Sequence, residues 1–463
     1  MIKISGQVFT PEWVVQKMLD LLQFNSIKVL NLKIIDNSCG DGAFLKEIIN
    51  RMIDIGLKNN YSKVDIAKTI EKNVFGIELD KTAFYKCLKN LESIRIKNNL
   101  PVIKWKIFSE NTLLVYKRFI NKFDIVVGNP PYVRIHNTVE NLKEFSFCKN
   151  GMSDLYIAFY EIGLEMLNQK GKLCYINPSS LFNSKAALKL RNYIIEKKLL
   201  SQVIDFRHQQ IFDNITTYSC IVLLDKTNEK KQILFSANIK EFLNLNYDDI
   251  LIENSWYFNE NIKDLRMLKQ ILNYSKQNYV VKNGLATLCD KIFINKFYEN
   301  VKSKYIFDVI KASTLVEQKI LFPYDENFNP VAFSDLEPDI QIFLNNNKET
   351  LLNRDLENKQ KWWLFGRTQA IKDKNKLKVS INTTIKNTSS IKTKIVTENT
   401  MIYSGLYVIV NNEKEALKIQ TLIRTQNFIN YISLLSKYKA GGYYTFNSTD
   451  LTKFINFYMN HNL

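Results

Sequence analysis

The amino-acid sequence predicts an α/β fold with a mixed, mostly parallel sheet, followed by a second, mixed α/β domain. Over the first 225 residues, short apolar segments alternate with amphipathic helical patterns, which is typical of a parallel sheet. A chain of 463 residues is also too long for one ordinary hydrophobic core. After residues 226–232 the alternation gives way to Asn- and Lys-rich segments, so we predict domains at 1–235 and 236–463.

Seven apolar segments are the predicted strands of the first domain. One helix is predicted over residues 43–55, where apolar side chains recur on one face. The strand segments are LKIIDN (32–37), NVFGIEL (73–79), VIKWKIF (102–108), FDIVVGN (123–129), GKLCYINP (171–178), SQVIDF (201–206) and TYSCIVLLD (217–225).

Charge and cysteine content limit the classes of function. The net charge of +18 attracts polyanions, although composition alone does not identify a nucleic-acid partner. The six cysteines are scattered singly without a CxxC pair, which predicts reduced thiols and neither a disulfide framework nor a metal site. The sequence has no apolar run of about 18 residues and no signal-peptide pattern, so we expect a cytoplasmic protein.

Ligands of doubly wound α/β folds bind at the carboxyl ends of the strands, so those ends deserve inspection. The first end continues as IIDNSCGDGAFL (34–45), where Gly40 and Gly42 allow a tight turn and a close approach to a ligand. The pattern is neither GxGxxG nor a phosphate loop, so a nucleoside triphosphate is not favoured. A plain strand-to-helix turn remains an alternative at this position.

The second and third strand ends carry polar side chains suited to an adenosine. Glu78 closes an apolar strand, and its carboxylate can accept hydrogen bonds from both hydroxyls of a ribose. Asp80 is a candidate N-cap of the following helix, a role compatible with the first. Asn111 has an amide that can bond to an adenine edge. Together the first three ends predict a pocket for an adenosine without phosphates.

The fourth strand end, DIVVGNPPYVR (124–134), forms a rigid polar corner. Pro130 and Pro131 fix φ and have no N–H, so the corner presents the Asn129 Oδ1 and the Pro130 carbonyl as acceptors. Two such acceptors suit an amino group with two N–H bonds and aim its lone pair at an electrophile, so that positioning and dipoles catalyse the reaction. Tyr132 adds a flat surface for stacking.

This ordered set of motifs resembles the gamma-class DNA N6-adenine methyltransferases of bacterial restriction–modification systems. GQVFTPEWVVQKMLDLL (6–22) is similar to their N-terminal cofactor motif, with Thr10 as the expected helix cap and Pro11 at the first helical position. DNSCGDGAFL (36–45), GIELD (76–80) and NPPY (129–132) are similar to the glycine, ribose-binding and catalytic motifs. The resemblance extends over about residues 5–225. It implies a Rossmann-like methyltransferase domain that uses S-adenosylmethionine, and a C-terminal target-recognition domain.

The resemblance also implies roles for individual residues. Asn129, Pro130 and Tyr132 would hold the target adenine, and Phe212 would supply a second stacking ring, with Tyr218 as the alternative. Phe159 would lie near the cofactor adenine, although a core position in a helix is an equal alternative. The expected cofactor-binding residues are Thr10, Pro11, Asp36, Ser38, Gly40, Gly42, Glu78, Leu79, Asn111, Asn129, Pro131 and Phe159.

Two positions depart from the pattern of the family, and the C-terminal segments match it more loosely. An aspartate is usual where Asn111 stands, and a proline is usual where Asn37 stands. Segments 351–371 and 440–454 resemble parts of the target-recognition domain. Arg367 beside Trp362 and Trp363 suits stacking and phosphate or base contacts, with a buried tryptophan pair as the alternative. The expected DNA-binding residues are Arg134, Trp362, Arg367, Tyr443 and Tyr444.

The sequence therefore predicts a site-specific DNA adenine-N6 methyltransferase that flips its target base. Its expected partners are double-stranded DNA and a cognate restriction endonuclease encoded nearby, and a monomer associated with a prokaryotic nucleoid is expected. Two alternatives stay open: methylation of another amino or amide nitrogen, in an RNA base or a protein glutamine, and a non-catalytic DNA-binding subunit. Cytosine C5 methylation is not expected, because the chain has no Pro-Cys dipeptide.

Overall fold

Two units make up the chain in the computed structural model, Met1–Arg266 and Met267–Leu463. The structure describes residues 10–133, 144–149, 153–212, 217–228, 231–356 and 358–461. Within these ranges no helix combines the length and the apolar character that crossing a bilayer would require.

A nine-stranded mixed sheet forms the framework of the first unit. Its strand order is β3-β2-β1-β4-β5-β7-β6-β8-β9, and the five strands from β3 to β5 run parallel. β7 is antiparallel to both β5 and β6. The predicted α/β class is confirmed, and each of the seven predicted segments overlaps a strand. The strands are β1 (Ile34–Asp36), β2 (Val74–Glu78), β3 (Lys106–Ser109), β4 (Phe123–Gly128), β5 (Leu167–Pro178), β6 (Leu200–Asp205), β7 (Ser219–Asp225), β8 (Gln232–Ser236) and β9 (Leu243–Asn246).

Apolar side chains cover both faces of this sheet. Ile35 and Val126 belong to one buried cluster, whereas their neighbours Ile34, Ile125 and Val127 belong to the other. Alternate residues of a strand point to opposite faces, so strands buried on both faces are continuously apolar. This explains why the strands were recognisable in the sequence.

Helices connect the parallel strands and cover the sheet. α2 turns Phe44, Leu45, Ile48 and Ile49 inward, on the face that the sequence predicted. The first unit also has a two-stranded ribbon, β10 (Leu251–Ile252) and β11 (Ser255–Trp256). The helices are α1 (Glu12–Leu21), α2 (Ala43–Lys58), α3 (Lys63–Asn73), α4 (Lys81–Lys97), α5 (Thr112–Val115), α6 (Leu155–Met166), α7 (Leu188–Glu196), α8 (Tyr247–Ile250) and α9 (Ile262–Asn273), which crosses the division between the units.

The start of α1 differs from the prediction. Thr10 was expected to cap the helix, but the N-cap residue is Pro11 and no side chain caps this end. The Pro11 carbonyl accepts hydrogen bonds from the amides of Val14 and Val15, at 3.0 and 3.2 Å. The Thr10 hydroxyl is thus available for a contact elsewhere in the fold.

The division between the units lies further along the chain than the predicted boundary at residue 235. β8 pairs in parallel with β6, and β9 pairs with β8, so residues beyond 235 extend the first sheet. Phe235 and Leu245 are fully buried in its core. Short strands with polar flanks, such as LNLN (243–246), give little signal in a sequence, which accounts for the difference.

The second unit has three small sheets and its own core. The sheet orders are β12-β19-β15-β17, β14-β13-β18 and β16-β21-β20. Its strands are β12 (Val281–Asn283), β13 (Ile306–Lys311), β14 (Val316–Leu321), β15 (Lys378–Ile381), β16 (Thr384–Ile385), β17 (Thr393–Val396), β18 (Thr400–Tyr403), β19 (Leu406–Ile409), β20 (Tyr438–Lys439) and β21 (Tyr443–Thr445). Its helices are α10 (Asp290–Phe293), α11 (Pro338–Asn346), α12 (Lys348–Leu352), α13 (Glu413–Ile423), α14 (Gln426–Leu434) and α15 (Ser448–His461).

Candidate active site

The carboxyl ends of β1, β2 and β4 meet at one edge of the first sheet. β1 lies between β2 and β4, with Asp36 paired to Gly76 and Ile35 to Val126. Because all three strands are parallel, the residues that follow them lie side by side. The sheet thus brings together the glycine loop (residues 37–42), Glu78 and the corner formed by residues 129–132.

Glu78 fastens the glycine loop to the end of β2. Its Oε2 accepts a hydrogen bond from the Gly40 amide at 2.7 Å, and its Oε1 accepts one from the Asp80 amide at 2.8 Å. The Cys39 amide donates to the Ile77 carbonyl at 3.0 Å. Asp80 caps α4 by accepting from the Ala83 amide, as predicted. Burial raises the pKa of Glu78, although the two amide donors oppose the shift.

The two glycines of the loop have different roles. Gly42 has φ +89°, and a Cβ added there would lie 2.7 Å from the Cys87 Sγ, so it allows α2 to pack closely on α4. Gly40 has φ +53°, but an added Cβ would meet nothing within 4 Å. Open space therefore adjoins the backbone of Gly40, beside the Glu78 carboxylate.

Asp36 is a buried carboxyl group at the end of β1. Only 1% of its surface is exposed, and its Oδ1 accepts a hydrogen bond from the Ser38 amide at 3.1 Å. Burial, with a smaller contribution from the charge of Glu78, raises the pKa of Asp36 to about 8. Gly128 packs against it, since an added Cβ would lie 2.7 Å from the Asp36 Oδ1. A cation bound at this carboxyl would lower its pKa again.

Asp36→Asn is expected to make the ligand-free protein more stable than wild type at alkaline pH. The folded state holds a proton that the unfolded chain, with a pKa of 3.8, releases, so wild-type stability falls as pH rises from 3.8 to about 8. The difference between the variants should grow across this window to the order of a few kcal/mol. Thermal unfolding at pH 4, 6 and 9 measures it, with the exposed Asp54→Asn as control. A difference independent of pH would contradict the burial of a neutral Asp36.

The Asn-Pro-Pro-Tyr corner is held by contacts from both sides. The Asn129 Nδ2 donates to the Thr10 Oγ1 at 3.2 Å, a contact across 119 residues that the sequence did not predict. The Ser38 hydroxyl donates to the Asn129 carbonyl at 3.4 Å. Because the amide nitrogen is directed at Thr10, the carboxamide oxygen Oδ1 is fixed on the other side of the side chain.

Tyr132 and Phe212, the two rings expected to hold the target base, are neighbours in the structure. The Tyr132 hydroxyl donates to the Ile176 carbonyl at 3.0 Å, which anchors the ring to β5. Its ring meets Phe212 edge to face, with centroids 6.3 Å apart and planes at 67°. Phe212 is 2% exposed, so it packs in the core here. The alternative Tyr218 lies edge to face with His208 instead.

The other expected cofactor residues lie in varied surroundings. Asn111 is the N-cap of α5, and its Oδ1 accepts from the Leu113 amide at 3.0 Å. Phe159 is buried within α6 at 5% exposure, which agrees with the alternative of a core aromatic. Leu79 is 52% exposed beside Glu78, and Pro131 is half-buried.

A buried polar contact that the sequence did not predict involves Asn37, where the family usually has proline. The Tyr175 hydroxyl donates to the Asn37 Oδ1 at 2.9 Å, and the Thr112 hydroxyl donates to the Asn37 carbonyl at 2.7 Å. Asn37 thus links β1 to β5 and α5. Its position within the strand-end motif was the only signal available in the sequence.

The expected DNA-binding residues are not equivalent in the structure. Trp362 is buried at 7% exposure against Phe333, the position described by the buried alternative. The Arg367 guanidinium forms an exposed ion pair with Asp355 at 2.8 Å. Tyr443 is 38% exposed and Tyr444 is half-buried. Arg134 lies outside the described residues.

Metal-binding geometry is absent from the part of the chain that the structure describes. No group of three or more His, Cys, Asp or Glu residues there could hold a metal ion. All six cysteines are free thiols, and all but Cys289 are buried.

Comparison with known proteins gives a consistent result. Residues 43–212 match the family model described as Eco57I restriction-modification methylase. The chain is 27% identical over 389 residues to the type II restriction enzyme and methyltransferase RM.Eco57I of Escherichia coli, covering 68% of this chain and 38% of that protein. It is 23% identical over 422 residues to the type II methyltransferase M.BstVI of Geobacillus stearothermophilus, covering 78% and 74%. The chain thus spans well under half of the Eco57I enzyme.

Solved structures share the fold at low sequence identity. The type IIL restriction-modification enzyme MmeI, solved in complex with DNA, superposes with a TM-score of 0.60 at 13% identity, covering 95% of this chain and 64% of that one. A nuclease-deletion mutant of the type ISP enzyme LlaGI, also solved with a DNA substrate mimic, gives a TM-score of 0.54 at 12% identity, covering 96% and 54%. At these identities the likeness concerns the fold alone.

The family and the fold imply S-adenosylmethionine as the cofactor, and the strand-end residues fit it. Open space adjoins Gly40, and the carboxyl groups of Glu78 and Asp36 suit ribose hydroxyls and an ammonium group. The resemblance found in the motifs is thus confirmed by the family match and by the curated relatives. Residues 43–212 are thus similar to the Eco57I restriction-modification methylase family.

Proposed function

We propose that the protein is a site-specific DNA methyltransferase that methylates the N6 amino group of adenine. The observation that carries the proposal is the corner at the end of β4, where the Asn129 carboxamide is oriented by Thr10 and followed by two prolines. The methyl donor S-adenosylmethionine supplies a methyl group on a positively charged sulfur. The chain has to bring an amino nitrogen of the target to this methyl group.

The corner residues would act on the amino group by hydrogen bonding. Asn129 Oδ1 and the Pro130 carbonyl would each accept one N–H of the target, which directs the nitrogen lone pair out of the ring plane. Preorganised dipoles of this kind lower a barrier without a strong base. The Tyr132 ring, anchored through its hydroxyl to Ile176, would support the flat face of the base.

Glu78, Asp36 and the glycine loop would hold the cofactor beside this corner. The Glu78 carboxylate accepts a hydrogen bond from the Gly40 amide, next to the open space beside Gly40. It retains lone pairs that can accept hydrogen bonds from the ribose hydroxyls. Asp36 would accept hydrogen bonds from the amino-acid end. Ser38 links the glycine loop to the corner, because its hydroxyl donates to the Asn129 carbonyl.

An adenine inside a duplex must leave the stack before it can reach such a corner. Unstacking costs a few kcal/mol, and stacking on an aromatic ring recovers about 1–3 kcal/mol per base. Phe212 is buried and edge-on to Tyr132, so a base sandwiched between the rings requires Phe212 to move. The net charge of +18 supports duplex DNA as the substrate through phosphate contacts.

Expression in a methylation-deficient bacterium, followed by single-molecule sequencing of its DNA, tests the proposal. N6-methyladenine in one short sequence context is expected with wild type and not with Asn129→Ala. An unmodified genome, with folded protein present, would overturn DNA adenine methylation. Radiolabelled methyl transfer to duplex DNA, RNA and protein extracts would then identify a different acceptor, and transfer to none would favour a non-catalytic subunit.

A further inference from the structure

A polar groove of about 540 Å³ opens on the second unit, apart from the strand-end site. Apart from one glycine, every residue that lines it has an uncharged hydroxyl or amide side chain. These residues are Asn283, Ser313, Asn382, Thr383, Thr384 and Ser404. Such groups donate and accept hydrogen bonds without the long-range field of an ion.

The backbone around the groove is closely packed, so its walls are fixed. The Gly284 amide donates to the Gly405 carbonyl at 2.9 Å, and a Cβ on Gly405 would lie 2.3 Å from that of Ala312. The hydroxyls of Ser313 and Ser404, which both line the groove, form a hydrogen bond with each other at 3.4 Å. A rigid, water-accessible surface of this kind can discriminate between ligands by hydrogen-bond pattern.

Asn382 shapes one wall and is not itself available to a ligand. It is buried, and its Nδ2 donates to the carbonyls of Thr384 and Ser390, at 2.7 and 3.1 Å. Its Oδ1 accepts from the Lys392 amide at 2.8 Å. Asn382 is therefore a positioning residue that holds Thr383 and Thr384 at the groove.

Asn283, unlike Asn382, has a side chain that is available to a ligand. It is exposed at the end of β12, where its backbone pairs with Leu406. Its side chain makes no hydrogen bond to any residue within the described ranges. A free carboxamide has one acceptor and one donor in a plane, the pattern that pairs with the N6 and N7 edge of an adenine in the major groove.

Cationic and aromatic side chains continue from the groove along the sheet of β16, β21 and β20. Thr384 begins β16 and pairs with Thr445, and two residues later Lys386 lies with its Nζ 5.8 Å from the ring centroid of Tyr443. Lys439 pairs with Tyr443 on the other side. Both lysines are exposed, so this edge suits the phosphates of a strand whose bases face the groove.

We propose that this groove reads base edges of duplex DNA, with Asn283 as a specificity-determining residue and Lys386 and Lys439 as phosphate contacts. The inference rests on the proposed DNA methyltransferase function and assigns its sequence discrimination to a defined surface. Uncharged hydroxyls and an amide match base edges, whereas the flanking lysines match a polyanion, and this combination favours DNA over an acidic peptide.

The test compares methyl transfer by wild type and variants on duplexes carrying the methylated word and each of its single-base substitutions. Asn283→Ala should reduce discrimination at one base pair by about 5- to 150-fold and leave the other positions unchanged. Lys386→Ala should weaken binding to all duplexes alike and reduce the salt dependence by about one phosphate contact. The matched control is Asn346→Ala, at an exposed asparagine of the same unit whose side chain bonds to none of the residues that the structure describes.

The outcomes separate this inference from the function on which it rests. Unchanged discrimination by Asn283→Ala, with wild type active, would overturn the reading role and leave DNA methylation intact. A loss spread evenly over all positions would also overturn it, because a phosphate or folding role predicts that result. If wild type methylates no duplex, the proposed function fails and this inference fails with it.

Discussion

Asn129→Ala is expected to lower the rate of methyl transfer by about two to three orders of magnitude, the usual cost of removing one preorganised hydrogen-bonding group from an active site. The substitution removes both the acceptor oxygen and the contact with Thr10. The fold should survive, because one neutral hydrogen bond contributes only about 1 kcal/mol. Radiolabelled methyl transfer at saturating cofactor and DNA measures the rate.

Three further variants make this result specific. Asn50→Ala removes an exposed asparagine of the same unit whose side chain makes no hydrogen bond within the described part of the chain, and it should retain wild-type rates. Thr10→Val keeps the Asn129 carboxamide but removes its hydroxyl partner, whereas Thr10→Ser keeps that hydroxyl. If Thr10→Val lowers the rate less than Asn129→Ala does, and Thr10→Ser has the wild-type rate, the orientation of the carboxamide contributes to catalysis. Equal rates for wild type and Asn129→Ala would refute the role of the corner.

Glu78→Ala is expected to reduce the affinity for S-adenosylmethionine by about 10- to 100-fold, since hydrogen bonds to a charged group contribute about 1.5–3 kcal/mol. Alanine removes the proposed ribose acceptor and also leaves the amides of Gly40 and Asp80 without their partner. Glu78→Gln keeps one acceptor oxygen, so its affinity for the cofactor should lie between those of wild type and Glu78→Ala. Calorimetric titration with the cofactor measures the affinities.

Glu71→Ala is the matched control for this experiment. Glu71 also accepts a hydrogen bond from a backbone amide, that of Lys104 at 3.0 Å, but it lies outside the glycine loop. Its replacement should leave cofactor affinity unchanged. If Glu78→Ala binds the cofactor as tightly as wild type does, Glu78 serves only to fasten the loop.

The features predicted well from the sequence are those that depend on neighbouring residues. β1 to β7 could be located because apolar residues covered on both faces produce continuous runs. Asp80 as a helix cap and Gly42 as a turn follow from local backbone geometry. The proximity of Gly40 and Glu78 follows from the parallel order of the strands that precede them.

Contacts between distant residues were beyond the reach of the sequence. Nothing near Thr10 indicates that its hydroxyl meets Asn129 instead of capping α1. In the second unit, buried Asp373 bonds to Lys282 and to Tyr407, residues separated from it by 91 and 34 positions. Tryptophan is a residue type that suits stacking, and only the burial of Trp362 against Phe333 identifies it as a core residue.

The pairing of β8 with β6 has a practical consequence for dissecting the protein. A fragment that ended at residue 235 would remove β9 and the last residue of β8, so β8 would become an open edge with unpaired amides and carbonyls. Open edges of this kind promote aggregation between copies. Trp256, fully buried in the same core, and Phe258 would be lost as well. A truncation intended to isolate the first unit should therefore retain Phe258 and also the start of α9, where Leu265 is buried in the same core.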